Sequence, residues 1–283
     1  MSLRNTDNTL AFPFDQRYVL RAWKLLFIPT RQWEPSAAHD AAWNRGSYLA
    51  EALAHCGDCH TPRNLLFATK SGRKYAGAVV DGWKAYNITS DNETGVGAWS
   101  DEELERYLSS GHAQARGSAA GGMAEAIDLS LRHLSTDDIA ALTRYLRTVP
   151  AQRSELAVRV VHDPATLNGA TAWSPGADRD DSAGFQVFAS ACASCHGWDG
   201  NGQQTDNAGL RGSRSVNDPA GTNVVRAVLE GIKIGSPAGN NTMPRFADAY
   251  SDEEIAAVSN YVIGHFGGKQ GKVTAADVRA SRD

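Results

Sequence analysis

What is scarce in this 283-residue sequence narrows its class before any motif is read. Cysteine occurs four times, too few for a disulfide-dense scaffold. Methionine occurs three times, at positions 1, 123 and 243, so any task for a thioether falls on very few residues. No apolar run approaches the roughly 18 residues of a membrane-spanning helix. The opening also lacks the apolar core of a signal peptide, an absence of little weight because MSLRN could stand in place of a removed leader. Positive charge is not in surplus: the formal net charge is −4 and the isoelectric point is near 6.1, which argues against nucleic acid as a partner. With 42% hydrophobic and 8% aromatic residues the chain can bury ordinary cores as a soluble globular protein, and its length suggests about two domains.

The four cysteines are not scattered. "LAHCGDCHTPRN" places Cys56, Cys59 and His60 in the order C-x-x-C-H, and "SACASCHGWDG" repeats it with Cys192, Cys195 and His196. C-x-x-C alone fits a redox dithiol or half a zinc site, but the histidine directly after it is the c-type haem attachment signature. The two thiols add across the vinyl groups of one porphyrin, and the adjacent imidazole is beside the iron as proximal ligand. A zinc ribbon brings its second pair within about 15–20 residues, whereas here the pairs lie in opposite halves of the chain. A disulfide across two residues closes too small a loop to constrain the unfolded chain much. The reading is two covalent haem c groups with iron. Attachment of haem c takes place outside the cytoplasm, so a bacterial periplasm is the expected location, and propionates would add to the acidity.

Internal similarity points to one module used twice. "WNRGSYLAEALAHC" approaches the first motif with Gly46 and Tyr48, and "DSAGFQVFASAC" approaches the second with Gly184, Phe185 and Phe188. "LSTDDIAALTRYLRTVP" and "YSDEEIAAVSNYVIGHF" align without a gap, pairing Ser135 with Ser251, Ile139 with Ile255, Leu142 with Val258, Tyr145 with Tyr261 and Leu146 with Val262. Apolar residues recur on one helical face. Ser251 with Glu254 has the form of a capping box, which Ser135 with Asp138 approximates. Ser100 with Glu103 opens a third helix, "WSDEELERYLSSG", whose counterpart is "NVVRAVLEGI".

A sixth iron ligand is then needed. Met123 in "AAGGMAEAI" and Met243 in "NNTMPRFAD" each follow a haem motif and precede a module's last helix, in glycine-rich or polar surroundings where a core-filling Met is not expected. Methionine favours ferrous iron, so His/Met ligation predicts relatively high potentials. His112 and His133 flank Met123 and are the alternatives; His39, His55, His162 and His265 read as surface or structural. In "GWKAYNITSD", Trp83, Asn87 and Thr89 are candidates for packing on a porphyrin or bonding its propionates, the other reading being a plain loop.

The ordered set "WNRGSYLAEALAHCGDCHTPRN", "GWKAYNITSD", "GVGAWSDEELERYL", "MAEAI", "HLSTDDIAALTRYL", "TMPRF" and "YSDEEIAAVSNYV" resembles the multihaem cytochrome c subunit of membrane-bound alcohol, aldehyde and gluconate dehydrogenases. The likeness runs over residues 10 to 150 and 182 to 268. It implies an electron-transfer subunit that accepts electrons from a quinoprotein or flavoprotein dehydrogenase and passes them to ubiquinone or another quinone or cytochrome acceptor, with Met123 and Met243 at the family's axial positions. Three departures stand out. Such subunits commonly carry three haem motifs, so a first module was cut away or this is a shorter relative; the opening "NTLAFPFDQRYVLRAWKLLFIPTRQW" looks like the connection after that module. Gly122 and Tyr86 stand where the family often has proline. The opening segment mixes Trp23, Leu25, Leu26 and Phe27 with Arg21 and Lys24, and either straps the modules or gives peripheral membrane association.

The expected fold is all-α: two tandem cytochrome c-type domains, each around one haem, at 41–150 and 182–283, with an N-terminal strap over 1–40 and a linker over 151–181. No catalytic residue is assigned, and the expected work is one-electron transfer. The competing class is a dihaem enzyme such as a peroxidase or thiosulfate-oxidising cytochrome, which needs an accessible iron. A non-redox interaction module leaves the haem motifs unexplained.

Overall fold

Two glycines decide how each half of the chain is assembled. In the computed structural model, which describes residues 10–12, 15–28, 32–156, 182–236 and 239–282, the helix Ala41–Tyr48 crosses the helix Thr136–Arg147. At the crossing a Cβ on Gly46 would overlap the Ala141 carbonyl oxygen and lie 2.9 Å from Tyr145 Cβ. In the C-terminal half Ala183–Val187 crosses Asp252–Gly267. There a Cβ on Gly184 would overlap Ala257 O and lie 2.9 Å from Tyr261 Cβ. Ala141 and Tyr145 align with Ala257 and Tyr261 in the sequence repeat, so the same close backbone contact is built twice. Alanine at Gly46 or Gly184 must force the helices apart. Overpacking of this kind destabilises by about 1–3 kcal/mol, to be read from denaturant melts of the haem-loaded protein. Alanine at Gly122, where a Cβ meets nothing within 4 Å, should be neutral or stabilising, because alanine is the better helix former.

Both approach helices run on through a π-helical turn, Leu49–Leu53 and Phe188–Cys192, into the one-turn helices Gly57–His60 and Ala193–His196. The capping boxes expected at Ser100 with Glu103 and at Ser251 with Glu254 are formed in both directions. At Ser135 only half the box exists: its hydroxyl accepts from Asp138 N–H, but the Asp138 carboxylate is committed to Arg45 at 2.6 Å.

The fold is mostly helical, and the all-α expectation needs one correction. Three two-stranded antiparallel hairpins are present among the described residues: Ala78–Val80 with Trp83–Ala85, His112–Ala113 with Gly117–Ser118, and Ile232–Ser236 with Gly239–Met243. The first was legible as Val-Val-Asp-Gly-Trp, since Asp81 and Gly82 take the positive φ of 49° and 77° that a two-residue hairpin turn demands.

Apolar burial forms two clusters. One gathers Leu49, Leu104, Ile127, Ile139, Leu142 and neighbours; the other Phe188, Val225, Ile255, Ile263, Val278 and neighbours. The division is not clean. Ile234, at 2% exposure, belongs to the first cluster although it comes from the C-terminal half, and it closes on Gly111, whose Cβ would meet Ile234 Cδ1 at 3.2 Å. The expected linker lies mostly outside the described residues.

The helix Arg17–Phe27 lies against the N-terminal module without fully burying any of its residues. Trp23 Nε1 donates to Leu66 O at 2.8 Å, while Leu25 and Leu26 stay 85% and 75% exposed. Arg17, Arg21 and Lys24 recur at i, i+4 and i+7, so the charge gathers on one face of the helix and the apolar residues on the other. No helix among the described residues is long and apolar enough to cross a membrane.

Candidate haem centres and the junction between them

The two motif histidines are held identically. His60 Nδ1 lies 2.6 Å from Tyr86 O and His196 Nδ1 lies 2.6 Å from Ala208 O. A carbonyl only accepts, so each Nδ1 carries the proton and each Nε2 keeps its lone pair. Burial lowers the pKa of both rings, against the opposing pull of the carbonyl, and keeps them neutral as a metal-ligating imidazole must be. Both are deep in the fold yet retain accessible surface, as expected of cleft walls.

All four cysteines are free thiols. Burial pushes Cys56 and Cys192 up to about 11, so both thiols are protonated at neutral pH. The residues fit a haem c: a pair of thiols one helical turn apart, and an oriented neutral imidazole directly after. Cys56 packs on the first cluster together with Ile88, Trp99, Tyr107 and Met123. Cys192 packs on the second with Trp198, Leu210 and Tyr261.

The methionines sit in less equivalent places than the sequence suggested. Met123 is in the first turn of the helix Gly121–Leu129 rather than a loop. Met243 ends a strand, paired with Ile232 across the hairpin, and is half-buried. Of the alternatives to Met123, His133 is exposed, its Nε2 donating to Asp128 O at 3.2 Å. His112 is buried, with Nδ1 at 2.9 Å from Ser118 Oγ. His39 stacks on Trp43 and His265 on Tyr261, His55 is exposed beside Asp58, and His162 lies outside the described residues.

Asn87 and Thr89 bond to groups of the surrounding loops. The Asn87 amide donates to Thr94 Oγ1 at 2.9 Å and Gln152 O at 2.7 Å, and its Oδ1 accepts from Thr89 N–H at 2.8 Å. Thr89 Oγ1 in turn accepts from Gln152 N–H at 3.2 Å. Both bonds from the Asn87 amide therefore stay within the protein. Trp83 likewise turns its N–H to Glu230 Oε2 at 3.3 Å, and its ring covers Gly121, where a Cβ would lie 2.6 Å from it. Tyr86, in a position where proline was expected, serves through its backbone: its carbonyl is the His60 acceptor, which any residue supplies.

Sequence reasoning missed the polar seam between the halves. Lys84 Nζ donates to Asp218 Oδ2 at 2.6 Å, both largely buried. Asn223 pairs with the Lys84 backbone in both directions, at 2.8 and 3.0 Å. Ser118 Oγ donates to Asn207 O at 2.7 Å, one residue from the His196 acceptor. These residues look like ordinary loop polars, and no spacing marks them.

Beside Cys56, Glu51 accepts from Lys74 Nζ, from Tyr145 Oη, and from Tyr75 Oη at 2.7 Å. Burial raises its pKa, but the bonds from Lys74, Tyr145 and Tyr75 outweigh it, and the net direction is down. A carboxyl depressed on folding stabilises the fold above its unfolded value of about 4.3 and loses that contribution as pH falls through the lower folded value. Below about pH 4.3, Glu51→Gln should therefore narrow the stability gap to wild type, as seen in denaturant midpoints across pH.

Residues 182–264 match the family model for cytochrome c. The fructose dehydrogenase cytochrome subunit of Gluconobacter japonicus is 36% identical over 96% of this chain and 59% of its own length. The gluconate 2-dehydrogenase cytochrome c subunit of Pantoea cypripedii is 33% identical over 98% and 65%. A diheme c-type cytochrome of Cereibacter sphaeroides is 38% identical over 50% of this chain and 47% of its own. The chain spans less than two thirds of either dehydrogenase subunit. Along nearly its whole length it is a homologue of the cytochrome c subunits of fructose and gluconate dehydrogenases, and it contains a cytochrome c domain.

Proposed function

We propose that this chain is a dihaem c-type cytochrome that relays electrons from a quinoprotein or flavoprotein dehydrogenase of the alcohol, aldehyde or gluconate type to a quinone or cytochrome acceptor. The observation that carries the reading is the duplicated C-x-x-C-H whose two histidines share one tautomer, each fixed by a backbone carbonyl at 2.6 Å. Bound haem supplies the one-electron couple. The chain does the rest: Cys56 with Cys59 and Cys192 with Cys195 would tether the haems, and His60 and His196 through Nε2, with Met123 and Met243, would ligate the irons. The two tandem modules occupy 41–150 and 182–283, and the mature protein works in the periplasm.

Orientation is the residues' main contribution. The Tyr86 and Ala208 carbonyls prevent ring rotation and raise the basicity of Nε2. The apolar walls around Cys56 and Cys192 exclude water, which lowers reorganisation when charge changes. The exposed face of Arg17–Phe27, with Leu25 and Leu26, suits peripheral contact with a bilayer or with the dehydrogenase.

The test is haem stoichiometry and turnover on one preparation. Mass spectrometry after acid-acetone extraction should show both haems retained. Mixed with alcohols, aldehydes, aldonic acids, thiosulfate or peroxide, the holoprotein should show no turnover without a dehydrogenase. One haem, or turnover alone, would favour a dihaem or monohaem enzyme instead.

A further inference from the structure

Arg214 is the least expected charge in the molecule. It belongs to the C-terminal half, yet it reaches into the N-terminal half, where Nη1 donates to Asn87 O at 2.9 Å and Nη2 donates to Gly95 O. It lies deep, beside the Tyr86 and Tyr107 side chains, and its charge is felt at His60. Like His60 it keeps some accessible surface despite that depth, so it is part of the same cleft wall. Burial pulls its pKa down to about 10, which leaves it a cation at neutral pH.

Among the described residues no carboxylate forms an ion pair with it. Asp91, whose charge acts on it, is turned into its own loop, where Oδ1 accepts from Glu93 N–H at 3.1 Å, Thr94 N–H at 2.6 Å and Thr94 Oγ1 at 2.9 Å. The next cation makes matters worse. Arg116 and Arg214 lie 5.4 and 5.9 Å from the Trp99 ring, and Arg116 is balanced by Glu103 at 2.8 Å, leaving Arg214 alone. A buried cation held only by carbonyl dipoles is costly. The tyrosine next to it is also incompletely served: Tyr86 Oη, near Ser215, is buried without a well-formed hydrogen bond. What this corner lacks is an anion with acceptor oxygens.

We propose that Arg214 is the counter-charge of a propionate of the haem tethered at Cys56 and Cys59, so that the second half of the chain completes the cofactor site of the first. The inference rests on the haem reading above and adds a residue to it. It gives the polar seam a purpose: Lys84, Asp218 and Asn223 hold the halves in the one register that presents Arg214 beside His60.

The experiment compares Arg214→Gln, Arg214→Lys and Arg226→Gln holoproteins. Arg226 pairs with Glu230 at 2.6 Å and packs on Gly82 across the seam, so its variant loosens the junction without touching the cleft. Haem content per chain is measured first; a single haem in wild type defeats the haem reading itself, separately from this proposal. With two haems present, Arg214→Gln should shift the reduction equilibrium of one haem toward ferric by on the order of tenfold, about 59 mV for one electron, and shift one haem's propionate bending band in resonance Raman spectra. Arg214→Lys should restore most of the potential. Unchanged bands and potential in Arg214→Gln, or an equal shift in Arg226→Gln, overturn the proposal and leave Arg214 a junction tie. A wild-type potential that depends on added phosphate also overturns it, by showing that a free anion occupies the corner. If Arg214→Gln fails to load haem, Arg214→Lys decides: a wild-type potential and a shifted propionate band support the proposal, and wild-type bands refute it.

Discussion

On the proposed ligand set, Met123→His is expected to lower the potential of the haem that Cys56 and Cys59 would tether by a sizeable part of the roughly 0.8 V that axial ligands command. A thioether is a soft donor that stabilises ferrous iron, whereas imidazole holds ferric iron better. Met123 packs against the same apolar cluster as Cys56, Tyr107 and Trp99. Met123 lies in the first turn of the helix Gly121–Leu129, and histidine is close to methionine in volume. An optical redox titration should show one of two waves displaced and the weak sulfur-to-iron band of the ferric protein halved. If both waves stay in place, Met123 is a core residue and His112 becomes the ligand to test, with Ser118 as the partner it would have to leave. Met243→His should displace the other wave only.

Asp218→Ala is expected to destabilise the holoprotein by about 3–5 kcal/mol, the range for removing one partner of a buried ion pair. Asp218 is 4% exposed, and the loss would strand Lys84 Nζ in a seam where its side chain is 14% exposed. Asp218 Oδ1 also accepts from Ala220 N–H at 3.0 Å, so a turn is lost with the charge. Removing both charges together, as Lys84→Met with Asp218→Leu, should recover much of the stability, because no unpaired charge then remains. A double-mutant cycle from denaturant midpoints checks this. Additive single effects would mean that the pair is solvated in solution and that the seam is looser than the structure shows.

Much of the architecture could be read from sequence because it is local. Ser100, Ser135 and Ser251 announce helix starts by hydrogen bonds within one turn, and the stripes of Ile139, Leu142 and Leu146 or Ile255, Val258 and Val262 encode which face is buried. The hairpins were missed for different reasons. Ala78–Ala85 carries an Asp-Gly turn signal at Asp81 and Gly82, whereas Ile232–Met243 contains glycines and polar residues that read as loop, and its Ile234 is buried in the cluster of the other half. The amides at Asn87 and Asn223 show the limit at the site. Both looked like generic polar residues, and their partners, Gln152 O and the Lys84 backbone, are remote in sequence.

The sequence alone determined the tethering chemistry: two thiols and an imidazole at fixed spacing can meet one porphyrin without help from the rest of the fold, so C-x-x-C-H at Cys56 and Cys192 is informative by itself. It also determined the duplication, since Gly46 and Gly184 must stay bare wherever the same helix pair is built. Only the tertiary structure decided which carbonyls orient His60 and His196, which remote groups Asn87 bonds, and that Arg214 crosses from one half to donate to Asn87 O and Gly95 O of the other. Those outcomes depend on the register between two apolar clusters, the first of which takes Ile234 from the C-terminal half. Long-range burial sets that register, and no local pattern of residues carries it.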